Sequence, residues 1–146
     1  GEVPDGEHTV EIGKADVKRE GTDVALFTYG STVHHSLEAA EIVAREDGIE
    51  VKVVDLRTLL PLDKELIINA VKSTGKALIV HEDTLTGGIG AELAALISEN
   101  AFKYLDAPIK RVASLDTPVP FAPPLEEYFL PDTNKIVKAL RELSSF

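Results

Sequence analysis

One stretch of the chain, residues 77–97, has the sequence ALIVHEDTLTGGIGAELAALI and contains a strand, a turn and a helix in succession. Its first four residues are apolar, which is typical of a strand buried on both faces of a parallel sheet. Glycines at 87, 88 and 90 interrupt the apolar pattern, and a helical pattern follows them. The stretch therefore predicts a fold in which buried strands lead through short turns into helices.

The same alternation recurs along the chain. Strands are predicted at 24–29, 51–56, 76–81 and 109–113, and helices at 31–48, 63–72, 90–102 and 132–143. This order predicts a three-layer α/β/α domain with a mostly parallel sheet. A weaker pattern at residues 16–20 indicates an extra edge strand. The predicted core contains residues at the strand centres and on the inner helix faces: Ala25, Phe27, Leu37, Val53, Leu56, Ile79, Leu93, Ile97 and Val112.

Composition limits the function classes. The 146 residues are 44% hydrophobic and 27% charged, which suits one folded domain. Fifteen basic and twenty-five acidic residues give a net charge of -10, so nucleic acid and an anionic membrane surface are not expected as partners. There is no cysteine, and no apolar run approaches membrane-spanning length. A cytoplasmic protein is expected, or a mitochondrial matrix protein if the source is eukaryotic.

The glycine-rich turn does not match the known phosphate-binding motifs. A P-loop requires Lys and Ser or Thr after its last glycine, but Ala91 and Glu92 follow here. A dinucleotide fingerprint requires a third glycine, which is absent. The glycines are best explained as a turn in which helix and strand approach closely, and an anion at a helix N-terminus is the alternative.

A ligand site in this fold class is expected at the carboxyl ends of the strands. The candidate ligand-binding residues there are Gly30, Ser31, His81 and Glu82, with His81 expected close to Gly30 and Ser31. A structural or interface role is favoured for His81. No metal site is expected, because Glu82 and Asp83 point to opposite sides of a continuing strand.

Two other features are interpreted from the residues alone. Arg57 is predicted to form an internal ion pair with Asp55 and Asp63, with anion binding as the alternative. The proline-rich segment 114–131 is predicted to be a stiff loop that forms a contact surface. Its aromatic residue Phe121 fits either the surface or the core, whereas Phe129 is predicted to be in the core.

A family resemblance is carried by four segments: IGKADVKREGTDVALFTYG (12–30), DLRTLLPLD (55–63), VHEDTLTGGIGAELAALISE (80–99) and YLDAPIKRVASLDTPVPFAP (104–123). Together they resemble the C-terminal domain of the beta subunit of thiamin-diphosphate-dependent 2-oxoacid dehydrogenases. The His-Glu pair followed by Thr-Gly-Gly is more similar to the branched-chain (2-oxoisovalerate) members than to the pyruvate members. The resemblance implies a transketolase C-terminal-domain-like fold, with a mixed five-stranded sheet and one antiparallel edge strand.

The resemblance also implies a division of labour. Residues 1–22 are assigned to a linker and edge strand, and residues 23–146 to the domain. The chain is expected to begin after an N-terminal domain that takes part in thiamin diphosphate binding, and the alpha subunit is expected to supply the diphosphate and magnesium site. The domain alone is therefore expected to bind no cofactor and to be inactive. The alternatives are a pyruvate dehydrogenase beta subunit and an independent ligand-binding module with an anion site.

The implied partners are an alpha subunit, a second beta subunit and the basic subunit-binding domain of the acyltransferase core. The candidate docking residues are Asp106, Asp116, Phe121 and Phe146. An acidic chain suits a basic partner, because opposite charges accelerate encounter and specify orientation. Lys110, four residues after Asp106, is a charge that a basic partner would not favour.

Overall fold

The computed structural model describes residues 5–146, so residues 1–4 of the predicted linker lie outside the described residues. Strands and helices alternate as the sequence predicts. In chain order the elements are β1 (Asp16–Arg19), β2 (Val24–Thr28), α1 (Thr32–Asp47), β3 (Val51–Asp55), α2 (Lys64–Thr74), β4 (Ala77–Thr84), α3 (Ile89–Ala101), a 3-10 turn (Phe102–Tyr104), β5 (Lys110–Ser114), α4 (Pro123–Phe129) and α5 (Thr133–Ser144).

The five strands form one mixed sheet in the order β1-β3-β2-β4-β5. β1 pairs antiparallel with β3, and the other neighbours are parallel. The register places Phe27 of β2 between Val54 of β3 and Ile79 of β4. Two predictions are thus confirmed: the edge strand is antiparallel, and β2 and β4 are adjacent in the sheet. β1 lies within the segment assigned as linker and edge strand, and the division at residue 22 stays a prediction.

Two apolar clusters hold the helices to the sheet. The α1 and α5 side chains pack on one face with Leu26 and Val53, and the α2 and α3 side chains pack on the other with Phe27 and Ile79. Seven of the nine predicted core residues are buried, but Leu37 and Val112 are only half-buried. Val112 lies on the edge strand β5, and Leu37 flanks the buried stripe of α1.

Helix ends follow the sequence signals with one exception. Asp63 accepts a hydrogen bond from the Leu66 N–H at the start of α2, and Gly48 ends α1 in the left-handed region at φ 70°. Ser31 precedes α1 as predicted, but its side chain makes no capping bond to the helix backbone. Its hydroxyl donates a hydrogen bond to the Glu82 carboxylate instead.

The loop prediction for residues 114–131 is wrong in its second half. Residues Pro123–Phe129 form α4, since prolines are tolerated in the first turn of a helix, where no N–H is required. Phe129 is buried, as predicted. The side chain of Phe121 is fully exposed, which resolves that residue in favour of the surface.

Candidate functional site

The candidate site lies where the carboxyl ends of β2 and β4 meet, because the connections from these neighbouring strands leave on opposite faces of the sheet. A crevice of ≈ 380 Å³ opens there. Its walls come from the start of α1, the end of β4 and the turn between α4 and α5; its lining includes Ser31, His35, Glu82, Glu127 and Asn134. Two of the four predicted ligand-binding residues, Ser31 and Glu82, therefore lie in one crevice.

Ser31 and Glu82 contact each other directly. The Ser31 hydroxyl donates a hydrogen bond to the Glu82 carboxylate, so that carboxylate lies at the N-terminus of α1. A helix N-terminus attracts negative charge, and here the chain's own carboxylate takes that position. Gly30 makes the turn with φ 65°, in the left-handed region. This arrangement weighs against the predicted alternative of a bound anion at Ser31.

His81 takes no part in the crevice. Successive strand residues point to opposite faces, so Glu82 faces α1 and His81 faces α3. The His81 side chain is fully buried under the start of α3. A Cβ built on Gly90 would lie 2.2 Å from His81 Nε2, and one built on Gly88 would lie 2.9 Å from His81 Cε1. The glycines thus make room for the imidazole ring, as the close-approach interpretation predicts.

The surroundings of the ring favour its neutral form. Burial lowers the pKa of His81 below its usual value of 6.5, and the nearby Arg111 guanidinium adds to that effect, while the Asp83 carboxylate opposes it. Neither ring nitrogen makes a hydrogen bond of ordinary geometry among the described residues, although the Asp83 backbone interacts with the ring and favours its charged form. Just after β2, burial raises the pKa of Tyr29, with smaller contributions from Asp83 and Glu82.

The turn between β4 and α3 is clamped to β5 and to the segment that follows it. Arg111 Nη1 donates to the Leu85 carbonyl at 2.9 Å. Thr86 donates to the Asp116 carboxylate twice, from its N–H at 2.9 Å and from its hydroxyl at 2.7 Å. These hydrogen bonds from Thr86 lower the pKa of Asp116. Sequence reasoning missed this clamp because its partners are about 30 residues apart in the chain.

The ion-pair prediction for Arg57 names the wrong partners. Arg57 Nη2 lies 2.7 Å from Asp16 Oδ2, on the edge strand β1. Asp55 accepts only the Arg57 N–H, at 3.0 Å, while Asp63 caps α2 and accepts the Ala15 N–H. The pairing with β1 could not be anticipated without knowing that β1 lies beside β3.

The candidate docking residues separate into two surfaces at opposite ends of β5. Asp106 precedes β5, and Phe146 follows α5, whose last turn is joined to the start of β5 by the Lys110–Glu142 ion pair. We call this the amino-end surface. Asp116 and Phe121 follow β5, roughly 16 Å away along the strand.

Within residues 5–146, no group of three or more His, Cys, Asp or Glu side chains is placed to hold a metal ion. None of the described helices is long and apolar enough to cross a membrane.

Comparison with known proteins gives consistent similarities. Residues 13–136 match the family described as transketolase, C-terminal domain. The chain is 54% identical over its full length to 2-oxoisovalerate dehydrogenase subunit beta of Bacillus subtilis (strain 168) and covers 45% of that protein. It is 46% identical over 99% of its length to the pyruvate dehydrogenase E1 component subunit beta of the same organism and covers 44% of it. The chain thus spans less than half the length of these curated relatives.

Solved structures agree with this similarity. A split-gene transketolase, an inactive beta4 tetramer, aligns with a TM-score of 0.82 and 29% identity over 99% of this chain and 46% of its own. A transketolase from Pichia stipitis aligns with a TM-score of 0.60 over 91% of this chain and 18% of its own. At 16% identity, the second alignment shows only that the fold is shared.

Proposed function

This chain belongs to the transketolase C-terminal domain family, and on that premise we propose that it is the C-terminal part of the beta subunit of a 2-oxoacid dehydrogenase. The whole enzyme would decarboxylate a 2-oxoacid oxidatively and transfer the acyl group to a lipoyl group. The observation that carries the proposal is the identity to beta subunits of this enzyme class along the whole chain. We also propose a cytoplasmic location for this enzyme.

The proposed substrate class is the branched-chain 2-oxoacids. Identity is higher to the 2-oxoisovalerate dehydrogenase subunit than to the pyruvate dehydrogenase subunit, which supports this assignment. The test is the ratio of kcat/KM for 3-methyl-2-oxobutanoate and for pyruvate, measured on the complete dehydrogenase that contains this chain. We expect the branched-chain substrate to be preferred, and a preference for pyruvate would move the chain to the pyruvate dehydrogenase type.

Within that enzyme we propose that this domain serves assembly, in contact with an alpha subunit and a second beta subunit. Thiamin diphosphate and magnesium would be bound outside it. Large apolar side chains at the surface support an assembly role, because an interface would remove their apolar area from water. The most exposed are Phe121, Leu60, Ile12, Phe102 and Tyr128. Calorimetric titration of the 146-residue chain with thiamin diphosphate and magnesium should give no binding heat, and a saturable heat would contradict this role.

We further propose that the amino-end surface docks the basic subunit-binding domain of the acyltransferase. Asp106 and Phe146 are exposed there, and their backbones are fixed by hydrogen bonds to Gly75 and Leu143. Lys110 is paired with Glu142, so its charge is largely compensated and opposes a basic partner less than the sequence suggests. The contact depends on charge, so its affinity should fall as salt is added.

The docking test compares the two ends of β5 in the assembled dehydrogenase at low salt. Asp106→Lys and deletion of Phe146 should each weaken binding of the subunit-binding domain by tenfold or more, on the order of 1.4 kcal/mol. Glu127→Lys is the matched control, because it makes the same charge change on an exposed residue beyond the other end of β5. Equal affinity for Asp106→Lys and the unmodified enzyme would refute the assignment.

A further inference from the structure

His81 differs from the other histidines of the described chain. His8, His34 and His35 are exposed, whereas the His81 side chain has no exposed surface. Its two ring nitrogens make no hydrogen bond of ordinary geometry among the described residues, although the Asp83 backbone interacts with the ring. A buried polar group without a partner costs free energy, so its presence at this place calls for an explanation.

The surroundings of the ring disfavour a positive charge. From α3, the backbone of Gly88 and Gly90 faces the ring, and these residues belong to the N-terminal end of the helix, which carries partial positive charge. From β5, the Arg111 side chain reaches the same space. Asp83, on the strand of His81 itself, is the one group nearby that favours the charged ring.

Two further titratable groups lie near the ring. Tyr29, which follows β2, carries no charge in this pH range, and burial raises its pKa further. Glu92, in the first turn of α3, is exposed to solvent. A proton on His81 would therefore meet a helix N-terminus and an arginine in a place closed to bulk solvent, with Asp83 to compensate it.

The junction that covers His81 is connected to the segment after β5. Leu85 donates its N–H to the Ser114 carbonyl at 3.2 Å, and its own carbonyl accepts the Arg111 hydrogen bond. Thr86 donates two hydrogen bonds to Asp116, which lies in the same segment after β5 as the exposed Phe121. Any movement of the junction would be transmitted to this segment.

We propose that His81 is an acid-sensitive lock on the junction formed by residues 82–90. While the ring is neutral, the start of α3 closes over it through Gly88 and Gly90. When the ring takes up a proton from solvent, the junction opens, the Thr86–Asp116 clamp is released, and the segment that carries Phe121 becomes mobile. The proposal does not depend on the substrate or partners of the protein.

The direction of the pH effect follows from linkage. The folded chain holds His81 at a lowered pKa, so the closed junction binds fewer protons than the open one. The closed state is therefore fully favoured above the usual pKa of 6.5 and loses stability as the pH falls from that value to the pKa of the folded state. For one proton, the steepest dependence of the opening equilibrium is about tenfold per pH unit.

The test is hydrogen exchange of residues 82–90 in the 146-residue chain between about pH 7.5 and about pH 5.5, expressed as protection factors so that intrinsic exchange rates cancel. We expect protection in this segment to fall by up to about tenfold per pH unit below the usual pKa of histidine. In His81→Gln, which cannot be protonated, protection should be independent of pH. His34→Gln, a change at an exposed histidine, should behave as the unmodified chain does.

Two results would overturn the proposal. One is a loss of protection in His81→Gln that matches the loss in the unmodified chain. The other comes from NMR of the unmodified chain, which is decisive even if His81→Gln does not fold: we expect the His81 ring to titrate below a free histidine peptide. A ring that titrates with the free peptide while residues 82–90 stay protected excludes the lock.

Discussion

The junction from β2 to α1 and the junction from β4 to α3 lie side by side at the carboxyl ends of the strands, but they require glycine for different reasons. Gly30 has φ 65°, and a Cβ built on it would meet nothing within 4 Å. Gly90 lies inside a helix, where φ is ordinary, but a Cβ there would overlap the His81 ring. One position requires a backbone conformation, and the other requires empty space.

The difference extends to how each helix start is satisfied. At α1 an exposed carboxylate, Glu82, approaches from the neighbouring strand. At α3 the neighbour is the buried His81 ring, and Gly88 offers no side-chain cap. The carboxylate contact at α1 is exposed and screened by water, whereas the start of α3 packs against a buried ring in addition to the hydrogen bonds of Thr86 and Arg111, and such packing is more sensitive to substitution.

The largest expected effect is at the buried junction. Gly90→Ala adds a Cβ that would lie 2.2 Å from His81 Nε2, and the overlapping ring is fully buried. Overpacking of this kind costs up to about 3 kcal/mol, against a gain of about 1 kcal/mol in helix propensity. We expect urea unfolding to show a net loss of about 2 kcal/mol.

The control for Gly90→Ala is a second substitution that removes the overlapping His81 ring. In a double-mutant cycle with His81→Ala, much of the cost of Gly90→Ala should disappear, because the atoms that overlap are gone. Equal costs of Gly90→Ala in the presence and absence of the ring would show that the glycine is required for another reason.

These contacts also show where prediction from sequence succeeds and where it stops. The alternation of strands and helices is local, so the fold class, the edge strand and most of the core could be predicted. The burial of His81 depends on Gly90 and Arg111, which belong to two other elements. Likewise, the pairing of Arg57 with Asp16 depends on the position of β1 in the sheet. Such contacts are set by strand order, which periodicity does not encode.

The helix α4 was missed for a local reason. Two adjacent prolines, Pro123 and Pro124, favour a loop interpretation. Proline is also common in the first turn of a helix, so the local sequence is compatible with either structure. Only the position of Phe129, which reaches the core from the end of α4, selects the helix. Phe121, which precedes α4, does not reach the core and is exposed.

The second prediction concerns the exposed junction. Gly30→Ala should cost about 1 kcal/mol, because an alanine in the left-handed region is strained although nothing obstructs its Cβ. Gly30→Asn is the matched variant and should cost clearly less, since asparagine tolerates this region. Thermal unfolding of both variants measures the difference. If Ala and Asn are equally costly, conformation is not what Gly30 supplies.

A third, smaller effect is expected at the clamp between the turn and the segment after β5. Thr86→Val removes the hydroxyl that donates to Asp116 and should destabilise the chain at neutral pH. Because hydrogen bonds from Thr86 lower the pKa of Asp116, its contribution is present above the usual value of 3.8 and is lost as pH falls through the folded pKa. The difference between Thr86→Val and the parent should therefore shrink in acid, as measured by urea unfolding at several pH values. A difference that persists unchanged in acid would mean that the Asp116 carboxylate is not involved.

The smallest effect is expected at the start of α1, and it tests whether Glu82 acts there as an internal anion. Glu82→Gln keeps the shape of the side chain but removes its charge from the helix N-terminus, which should cost about 0.5 kcal/mol at low salt. If the charge is what matters, sulfate should stabilise Glu82→Gln more than the parent, because the start of α1 then lacks its internal negative charge and attracts an anion from solution more strongly. Glu127→Gln removes a charge from the same crevice without touching Ser31 and should show no such gain. Equal stabilisation of all three proteins by sulfate would mean that the Ser31–Glu82 contact is an ordinary surface hydrogen bond, and that the exposed junction is held by the conformation of Gly30 alone.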